Sequence, residues 1–166
     1  MALLKNRLAT THDVDDFDCG DSALNDYLRQ TARQHQKKNI SQTYVIVDEV
    51  TPDAILGYFT LTIRPMMPIA QLPAAYQRRL PREVPGYTLG RLAVDKRYQG
   101  QGIGTDLMMS AIDRVRAAAA NVGGWGFFID AKNERAARFY EDFGFMRLPS
   151  TPLTLFAPIA ELPTHP

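Results

Sequence analysis

The chain has 166 residues, 45% of them apolar, and a formal net charge of +1; this length suits a single domain over residues 1–166 and is too short for two. Its only cysteine, Cys19, excludes an internal disulfide, and no histidine stands at metal-ligand spacing from it or from another histidine, so we expect no metal. The first ten residues lack the apolar core of a signal peptide and no window approaches a membrane span, so we expect a cytoplasmic protein without membrane contact.

The first half of the chain predicts a helix followed by a hairpin. After the capping residues Asp21 and Ser22, apolar residues recur at helical spacing, which predicts an amphipathic helix over residues 22–37. Two stretches rich in β-branched and aromatic residues, 43–48 and 55–63, are separated by the turn sequence EVTPDA. They predict two paired strands.

The segment from residue 64 to residue 86 is rich in proline and arginine. Its five prolines in 23 residues predict an irregular loop with at most one short helix near Pro73 to Leu80. A further strand is predicted over residues 87–95.

The last third of the chain alternates between helix and strand patterns. Apolar residues at three-and-four spacing predict a helix from Gly104, and WGFFIDA (125–131) predicts a buried strand. Asn133 is a good cap for a second helix that Gly144 closes, and the final strands are FMRL and LTLFAPI. This order of elements predicts an α/β domain in which helices flank a mixed central sheet.

Three glycines stand at alternate positions in RYQGQGIG, residues 97–104. A phosphate-binding P-loop would need lysine and then serine or threonine after the last glycine, but Thr105 and Asp106 follow. A dinucleotide fingerprint would need its third glycine at position 105. The pattern that remains is arginine or glutamine, two residues, glycine, one residue, and glycine or alanine. Arg97, Gly100 and Gly102 satisfy it, between a strand and an amphipathic helix.

With this loop in this context, the chain over residues 43–148 resembles the GNAT family of acetyl-CoA-dependent N-acetyltransferases. The resemblance implies the GNAT fold, acetyl-CoA as co-substrate, and a coenzyme-binding core at about residues 87–148. It also implies that backbone N–H groups at the start of the helix receive the pyrophosphate, which agrees with the helix dipole. The strand before the loop would pair with the pantetheine arm. The implied coenzyme-binding residues are Leu92, Ala93, Val94, Gln99, Gly100, Gln101, Gly102, Ile103, Gly104, Thr105 and Asn133.

Tyr140 is the candidate general acid. Family members commonly use a tyrosine on the corresponding helix to protonate the departing thiolate, and a phenol with a pKa near 10 can do so when it is well positioned. The alternative is that Tyr140 is a core aromatic residue beside Phe139 and Phe143. Spacing alone does not separate the two roles.

The sequence lacks the carboxylate that lysine acetyltransferases of this family often use as a base. No acid occurs in residues 54–82 or 85–94. A lysine amine with a pKa near 10.4 needs such a base, whereas an α-amine with a pKa near 8 is already partly neutral. The sequence therefore favours an α-amine as the acceptor.

A closer resemblance extends over nearly the whole chain. FDCGDSALNDYLRQTARQHQKK, ILGYFTLTI, the proline- and arginine-rich insert and LGRLAVDKRYQGQGIGTDLM together resemble the GNAT toxins of type II toxin–antitoxin modules. The resemblance implies acetylation of the α-amino group of aminoacyl-tRNA, a block of translation, a ribbon-helix-helix antitoxin that alone contacts DNA, and a toxin homodimer. Basic residues unopposed by acids would contact tRNA phosphates: Arg29, Arg33, Lys37, Lys38, Arg78, Arg79, Arg82 and Arg91.

Two other functions stay open on the sequence. An ordinary GNAT enzyme would acetylate protein amino termini or a small amine such as an aminoglycoside, although the acid-poor segment 54–82 disfavours a polycationic substrate. A non-catalytic acyl-CoA-binding module would act through protein contacts and would not depend on Tyr140.

Overall fold

The computed structural model describes residues 1–164 and contains seven strands. Their bounds are β1 Leu3–Arg7, β2 Gln42–Asp48, β3 Thr51–Pro68, β4 Glu83–Val94, β5 Gly126–Asp130, β6 Met146–Arg147 and β7 Thr154–Pro158. They form one sheet in the order β1-β2-β3-β4-β5-β7-β6. The pairs β1–β2, β2–β3, β5–β7 and β6–β7 are antiparallel, and β4 pairs with β5 in parallel. The prediction of a mixed sheet in an α/β fold is confirmed.

Contacts between residues divide the chain into two compact units. Unit 1 comprises residues 1–62 and 90–111, and unit 2 comprises residues 63–89 and the chain from 112 onward. Each unit has its own apolar core. Phe17, Leu28 and Tyr58 are almost fully buried in unit 1, as are Phe128 and Phe156 in unit 2. The single-domain organisation expected from chain length stays a prediction.

The helix predicted over residues 22–37 is present, but its middle turn is wider than an α-helix. It comprises α1 (Ser22–Asp26), a π-helical turn (Tyr27–Thr31) and α2 (Ala32–Lys37). The Asp21 carboxylate accepts the backbone N–H groups of Ala23 and Leu24, so the predicted cap is present. Hydrophobic periodicity indicates a helix without distinguishing an α-helical from a π-helical turn.

The hairpin is confirmed, but the segment after it is more regular than predicted. β3 continues to Pro68, followed by short 3-10 helices at Ile69–Gln71 and Ala74–Tyr76, and β4 begins at Glu83. Pro65 and Pro68 lie beyond Leu61, where the pairing of β3 with β2 ends, so they remove no hydrogen bond from that ladder. Pro52 falls where the register between the two strands shifts, between the pairs Asp48–Thr51 and Val47–Ile55.

A long helix and a short helix complete the fold. Helix α3 (Ile103–Val122) follows the glycine stretch, and α4 (Glu134–Glu141) follows β5, as predicted. Gly57 on β3 lies directly under α3, because a Cβ at this position would come within 2.9 Å of the Leu107 Cδ1 atom. In the part of the chain described, no helix is both long and apolar enough to cross a membrane.

Candidate active site

The glycine stretch forms an open loop that leads into α3. Gly100 and Gly102 have φ angles of +80° and +85°, which side-chain-bearing residues rarely adopt. Apart from the adjoining residues of the chain, no atom lies within 4 Å of the Cβ position at either glycine. The Asp106 N–H donates to the Gly102 carbonyl at 3.1 Å, so the N–H groups just before it precede the first intrahelical bond. The loop therefore offers donors and the positive end of a 20-residue helix without obstructing side chains.

The end of β4 continues beyond its pairing with β5. The parallel register runs from Gly86 to Leu89, and β4 itself extends to Val94. Within unit 1, the Ala93 side chain is buried, while those of Leu92 and Val94 are half-buried. These are the residues proposed from the resemblance to pair with pantetheine.

Arg97 does not direct its charge towards an open anion site. Its guanidinium contacts Asp95 at 2.8 Å and Asp16 at 2.9 Å. The spacing of the family motif is equally met two residues later by Gln99, Gly102 and Gly104. In that register the neutral Gln99 occupies the first position of the motif, and Arg97 lies outside the motif, ion-paired with Asp95 and Asp16.

Sequence reasoning missed Asp95, the first residue after β4. Its side chain has 0% exposure and accepts hydrogen bonds from the Arg97 side chain and from the backbone N–H groups of Arg97 and Asp18. Burial raises the pKa of Asp95, but the hydrogen bonds from Arg97 and Asp18 more than offset this and hold it below the usual range. The sequence signal was an acid directly between a strand and the glycine loop.

Tyr140 lies on α4, in unit 2. Asn133 caps this helix, its Oδ1 atom accepting the Ala136 N–H at 2.9 Å. The Tyr140 side chain is 8% exposed and its ring packs edge-on against Phe139, as expected for a core aromatic residue. Burial raises the pKa of the phenol to about 12. The hydroxyl is therefore protonated at every physiological pH.

Arg147 on β6 holds both ends of α4. Its guanidinium contacts Glu134, the first residue of the helix, at 2.7 Å and Glu141, the last, at 2.9 Å. Hydrogen bonds to these two carboxylates raise the pKa of Arg147, and the bond from Arg147 lowers the pKa of Glu134. This brace fixes the short helix that carries Tyr140.

The basic residues proposed for tRNA contact in unit 1 differ in their availability. Arg33 is committed to structure, because it donates to the backbone carbonyls of residues 9, 10 and 12 at 2.6–3.5 Å. Arg29 donates to the Phe17 carbonyl at 3.4 Å but is exposed. Lys37 and Lys38 are exposed at the end of α2, and Arg91 is exposed at the end of β4.

The other three candidates, Arg78, Arg79 and Arg82, are exposed in unit 2 between the 3-10 helices and β4. Arg79 has a φ of +63°, which is uncommon outside glycine and marks a sharp turn. The nearby Arg64 is not equivalent, because it ion-pairs with Asp130 at 2.7 Å and lies over the Phe128 ring.

No group of three histidine, cysteine or acidic side chains within residues 1–164 could hold a metal ion.

The chain belongs to the acetyltransferase (GNAT) family, which it matches over residues 8–145. The predicted GNAT fold and the class of enzyme, an acetyltransferase, are thereby confirmed. Among its relatives is a tRNA-acetylating toxin of Mycobacterium tuberculosis (strain ATCC 25618 / H37Rv), 32% identical over 149 residues, which are 90% of this chain and 87% of the relative.

Two solved structures resemble the chain along almost its whole length. AtaT complexed with acetyl-methionyl-tRNAfMet has a TM-score of 0.88 at 34% identity, covering 95% of each chain. A tyrosine-to-phenylalanine mutant of the AtaT toxin, bound to the C-terminus of the antitoxin AtaR and acetyl-CoA, has a TM-score of 0.81 at 31% identity, covering 96% of this chain and 95% of the other. The predicted resemblance to the GNAT toxins is confirmed.

Proposed function

We propose that this protein is a toxin that transfers the acetyl group of acetyl-CoA to the α-amino group of aminoacyl-tRNA. The likeness to AtaT complexed with acetyl-methionyl-tRNAfMet carries this proposal, because it extends over 95% of both chains. An acetylated α-amine is no longer nucleophilic and cannot form the next peptide bond. Translation would stop for each aminoacyl-tRNA that is modified.

In this proposal the coenzyme is held by two segments of unit 1. The N–H groups of Gln99 to Thr105 receive the pyrophosphate, supported by the open glycine loop and the α3 dipole. The backbone of Leu92 to Val94 pairs with the pantetheine arm, and one N–H there stabilises the oxyanion that develops on the thioester carbonyl.

Tyr140 is proposed to assist departure of the thiolate. The amine nitrogen attacks the thioester carbon, the C–S bond breaks, and the phenol gives its proton to the sulfur; the ammonium proton then restores the phenol through solvent. A phenol with a pKa of about 12 is a weak donor to a thiolate whose conjugate acid has a pKa near 8.5 in water. A thiolate released into surroundings with little water is more basic than in bulk water, which reduces the difference between the pKa of the thiol and the pKa of the phenol.

The acceptor is proposed to be an α-amine because residues 54–82 and 85–94, which include most of β3 and β4, contain no carboxylate that could act as a base. Asp130 is the last residue of the buried strand β5, but its carboxylate is ion-paired with Arg64. Burial raises the pKa of Asp130, but the hydrogen bond and the charge of Arg64 together with the hydrogen bond from Thr154 outweigh it, and the pKa lies below its ordinary value. Such a carboxylate is a poor base for a lysine ammonium, whereas an α-amine is partly neutral without help.

The tRNA phosphates are proposed to contact the basic side chains that remain exposed. These are Arg29, Lys37, Lys38 and Arg91 in unit 1 and Arg78, Arg79 and Arg82 in unit 2. A small antitoxin of ribbon-helix-helix type would neutralise the enzyme and alone contact DNA. A toxin homodimer and a cytoplasmic location complete the proposal.

Transfer of labelled acetyl from acetyl-CoA tests the function directly. The acceptors are charged tRNA, the same tRNA uncharged, and a protein extract. The enzymes are the wild type, Tyr140→Phe, and the matched hydroxyl deletion Tyr87→Phe, whose phenol is committed to the Gly123 carbonyl at 2.6 Å. We expect label on charged tRNA only, reduced ~10²- to 10⁴-fold by Tyr140→Phe and little changed by Tyr87→Phe.

Each other result identifies an alternative. Label on protein or on a small amine would contradict the tRNA substrate and favour an ordinary GNAT enzyme. Coenzyme binding without transfer to any acceptor would favour the non-catalytic module. Full activity of Tyr140→Phe on charged tRNA would agree with the proposed substrate but contradict the role of Tyr140 as general acid.

A further inference from the structure

A short segment before α1 is hydrogen-bonded to the part of the chain that leads into the coenzyme loop. We call residues 16–19 the N-terminal latch. The Lys96 N–H donates to the Asp18 carbonyl at 2.8 Å, and the Asp18 N–H donates to the Asp95 carboxylate at 3.1 Å. The Gln99 side-chain amide donates to the Cys19 carbonyl at 3.2 Å. The latch is therefore hydrogen-bonded to the chain on both sides of Arg97, to the Lys96 backbone and to the Gln99 side chain.

Asp95 is the centre of this arrangement. A fully buried carboxylate is costly unless hydrogen bonds replace its hydration. Here they come from the Arg97 N–H and Nε, both at 2.9 Å, from the Arg97 Nη2 at 2.8 Å, and from the latch at Asp18. Every one of these donors lies either in the latch or in the turn before the glycine loop. Removing the Asp95 charge would loosen both at once.

Two ion pairs surround this centre. The Arg97 Nη2 contacts the Asp16 carboxylate at 2.9 Å, and the Lys96 ammonium contacts the Asp18 carboxylate at 3.0 Å. All four side chains are roughly half exposed, so neither pair stabilises the folded state much by itself. Their effect is local order, because they fix a turn whose continuation is a glycine loop.

The glycine loop needs such support from outside. Gly100 and Gly102 give it backbone freedom, and no atom packs against their Cα atoms on the Cβ side. The position of its N–H groups therefore depends on the elements at its two ends, α3 after it and the turn Lys96–Tyr98 before it. The latch fixes the second of these.

We infer that the latch pre-orders the coenzyme loop, with Asp95 and Asp16 as positioning residues for acetyl-CoA. Arg97 acts in the same way and not as a phosphate ligand. This inference rests on the proposed assignment of Gln99 to Thr105 to the pyrophosphate. A pre-ordered loop spends less binding energy on becoming ordered, so the latch increases coenzyme affinity without contacting the coenzyme.

Calorimetric titration with coenzyme A, together with kcat and KM for acetyl-CoA, tests the inference. The variants are Asp95→Asn, Asp16→Ala and the control Asp15→Ala, which removes an exposed acid directly before the latch. We expect the Kd to rise ~10-fold or more for Asp95→Asn and ~3-fold for Asp16→Ala, with kcat at saturating acetyl-CoA within ~2-fold of the wild type. Asp15→Ala should match the wild type.

The comparison of Kd with Tm separates positioning from mere stability. A lower Tm with an unchanged Kd in both Asp95→Asn and Asp16→Ala would overturn the inference. If Asp95→Asn does not fold, Asp16→Ala decides it alone. High salt should raise the KM of the wild type and narrow its difference from Asp16→Ala, because salt screens the Arg97–Asp16 pair.

One further variant separates this inference from the assignment of the site. Gly102→Ala places a methyl group in the loop at a φ of +85° and should abolish coenzyme binding whether or not the latch matters. Normal binding by Gly102→Ala would reject the coenzyme site itself. Lost binding by Gly102→Ala with normal binding by Asp16→Ala and Asp95→Asn would reject only the latch.

Discussion

The guanidinium carbon of Arg91 lies 3.7 Å from the centroid of the Tyr27 ring, so the two planar groups are in direct contact. Tyr27 belongs to the π-helical turn, and its hydroxyl lies 3.2 Å from the Ser41 hydroxyl. The guanidinium thus lies against an aromatic ring, while Arg91 as a residue remains exposed. This geometry presents planar N–H donors to an anion.

Arg91→Lys should weaken tRNA binding almost as much as Arg91→Ala, because lysine keeps the charge but loses the stacked planar donors. We expect KM for charged tRNA to rise ~3- to 10-fold in both variants, and its salt dependence to become shallower in Arg91→Ala. Lys5→Ala, which removes an exposed charge on β1, is the control. Equal KM values for Arg91→Ala and the wild type across a salt series would exclude Arg91 from the tRNA surface.

The value of kcat/KM should rise with pH between pH 6 and pH 10 and should not fall again within this range. The rise follows deprotonation of an α-amine with a pKa near 8. No fall is expected, because burial raises the pKa of Tyr140 to about 12 and keeps its phenol protonated throughout. The profile is measured as kcat/KM at each pH, obtained from initial rates in short time courses. A descending limb below pH 10 would indicate a different proton donor.

Asn133 offers a way to separate helix capping from coenzyme binding. Its Oδ1 atom caps α4, and aspartate can replace that oxygen whereas alanine cannot. Asn133→Ala should destabilise the protein by ~1 kcal/mol and Asn133→Asp by much less. If the Asn133 amide N–H groups also bind the coenzyme, Asn133→Asp should keep its Tm but raise KM for acetyl-CoA. An equal decrease of Tm in Asn133→Ala and Asn133→Asp would contradict the stabilising role of the Asn133 cap.

The brace on α4 predicts that Arg147 affects the rate more than coenzyme binding. Arg147→Ala frees both ends of an eight-residue helix, so we expect kcat to fall several-fold, Tm to drop by a few degrees, and KM for acetyl-CoA to change little. Arg138→Ala, which removes only the 3.9 Å contact with Glu134, is the control. A wild-type kcat in Arg147→Ala would show that α4 holds Tyr140 without the brace.

Much of this fold follows from local patterns. The hairpin, the strand before the glycine loop, α3, β5 and the capped helix α4 were predictable because each combines strong periodicity with capping or turn residues. β1 was missed because its exposed residues, among them Lys5, Asn6 and Arg7, hide its pairing with β2. Strand pairing is a long-range property that a polar edge strand does not record in its own residues.

The site was predictable to a similar degree. The glycine loop follows a short motif, whereas Asp95 and Arg33 depend on contacts with distant segments. As an isolated sequence feature, Arg33 is an unopposed basic residue, and only the folded chain reveals the three carbonyls that it binds. Charge along a sequence therefore overestimates the basic surface available to a polyanion.

The N-terminal latch also constrains how the protein can be made. Its partners are separated by 77 positions between Asp18 and Asp95 and by 81 between Asp16 and Arg97. Closing so long a loop costs chain entropy before any contact is gained, and non-local contacts of this kind slow folding. During synthesis on a ribosome, the latch can close only after residue 97 has emerged. A nascent chain shorter than this can have no ordered coenzyme loop, so acetyl-transfer activity would arise late in synthesis.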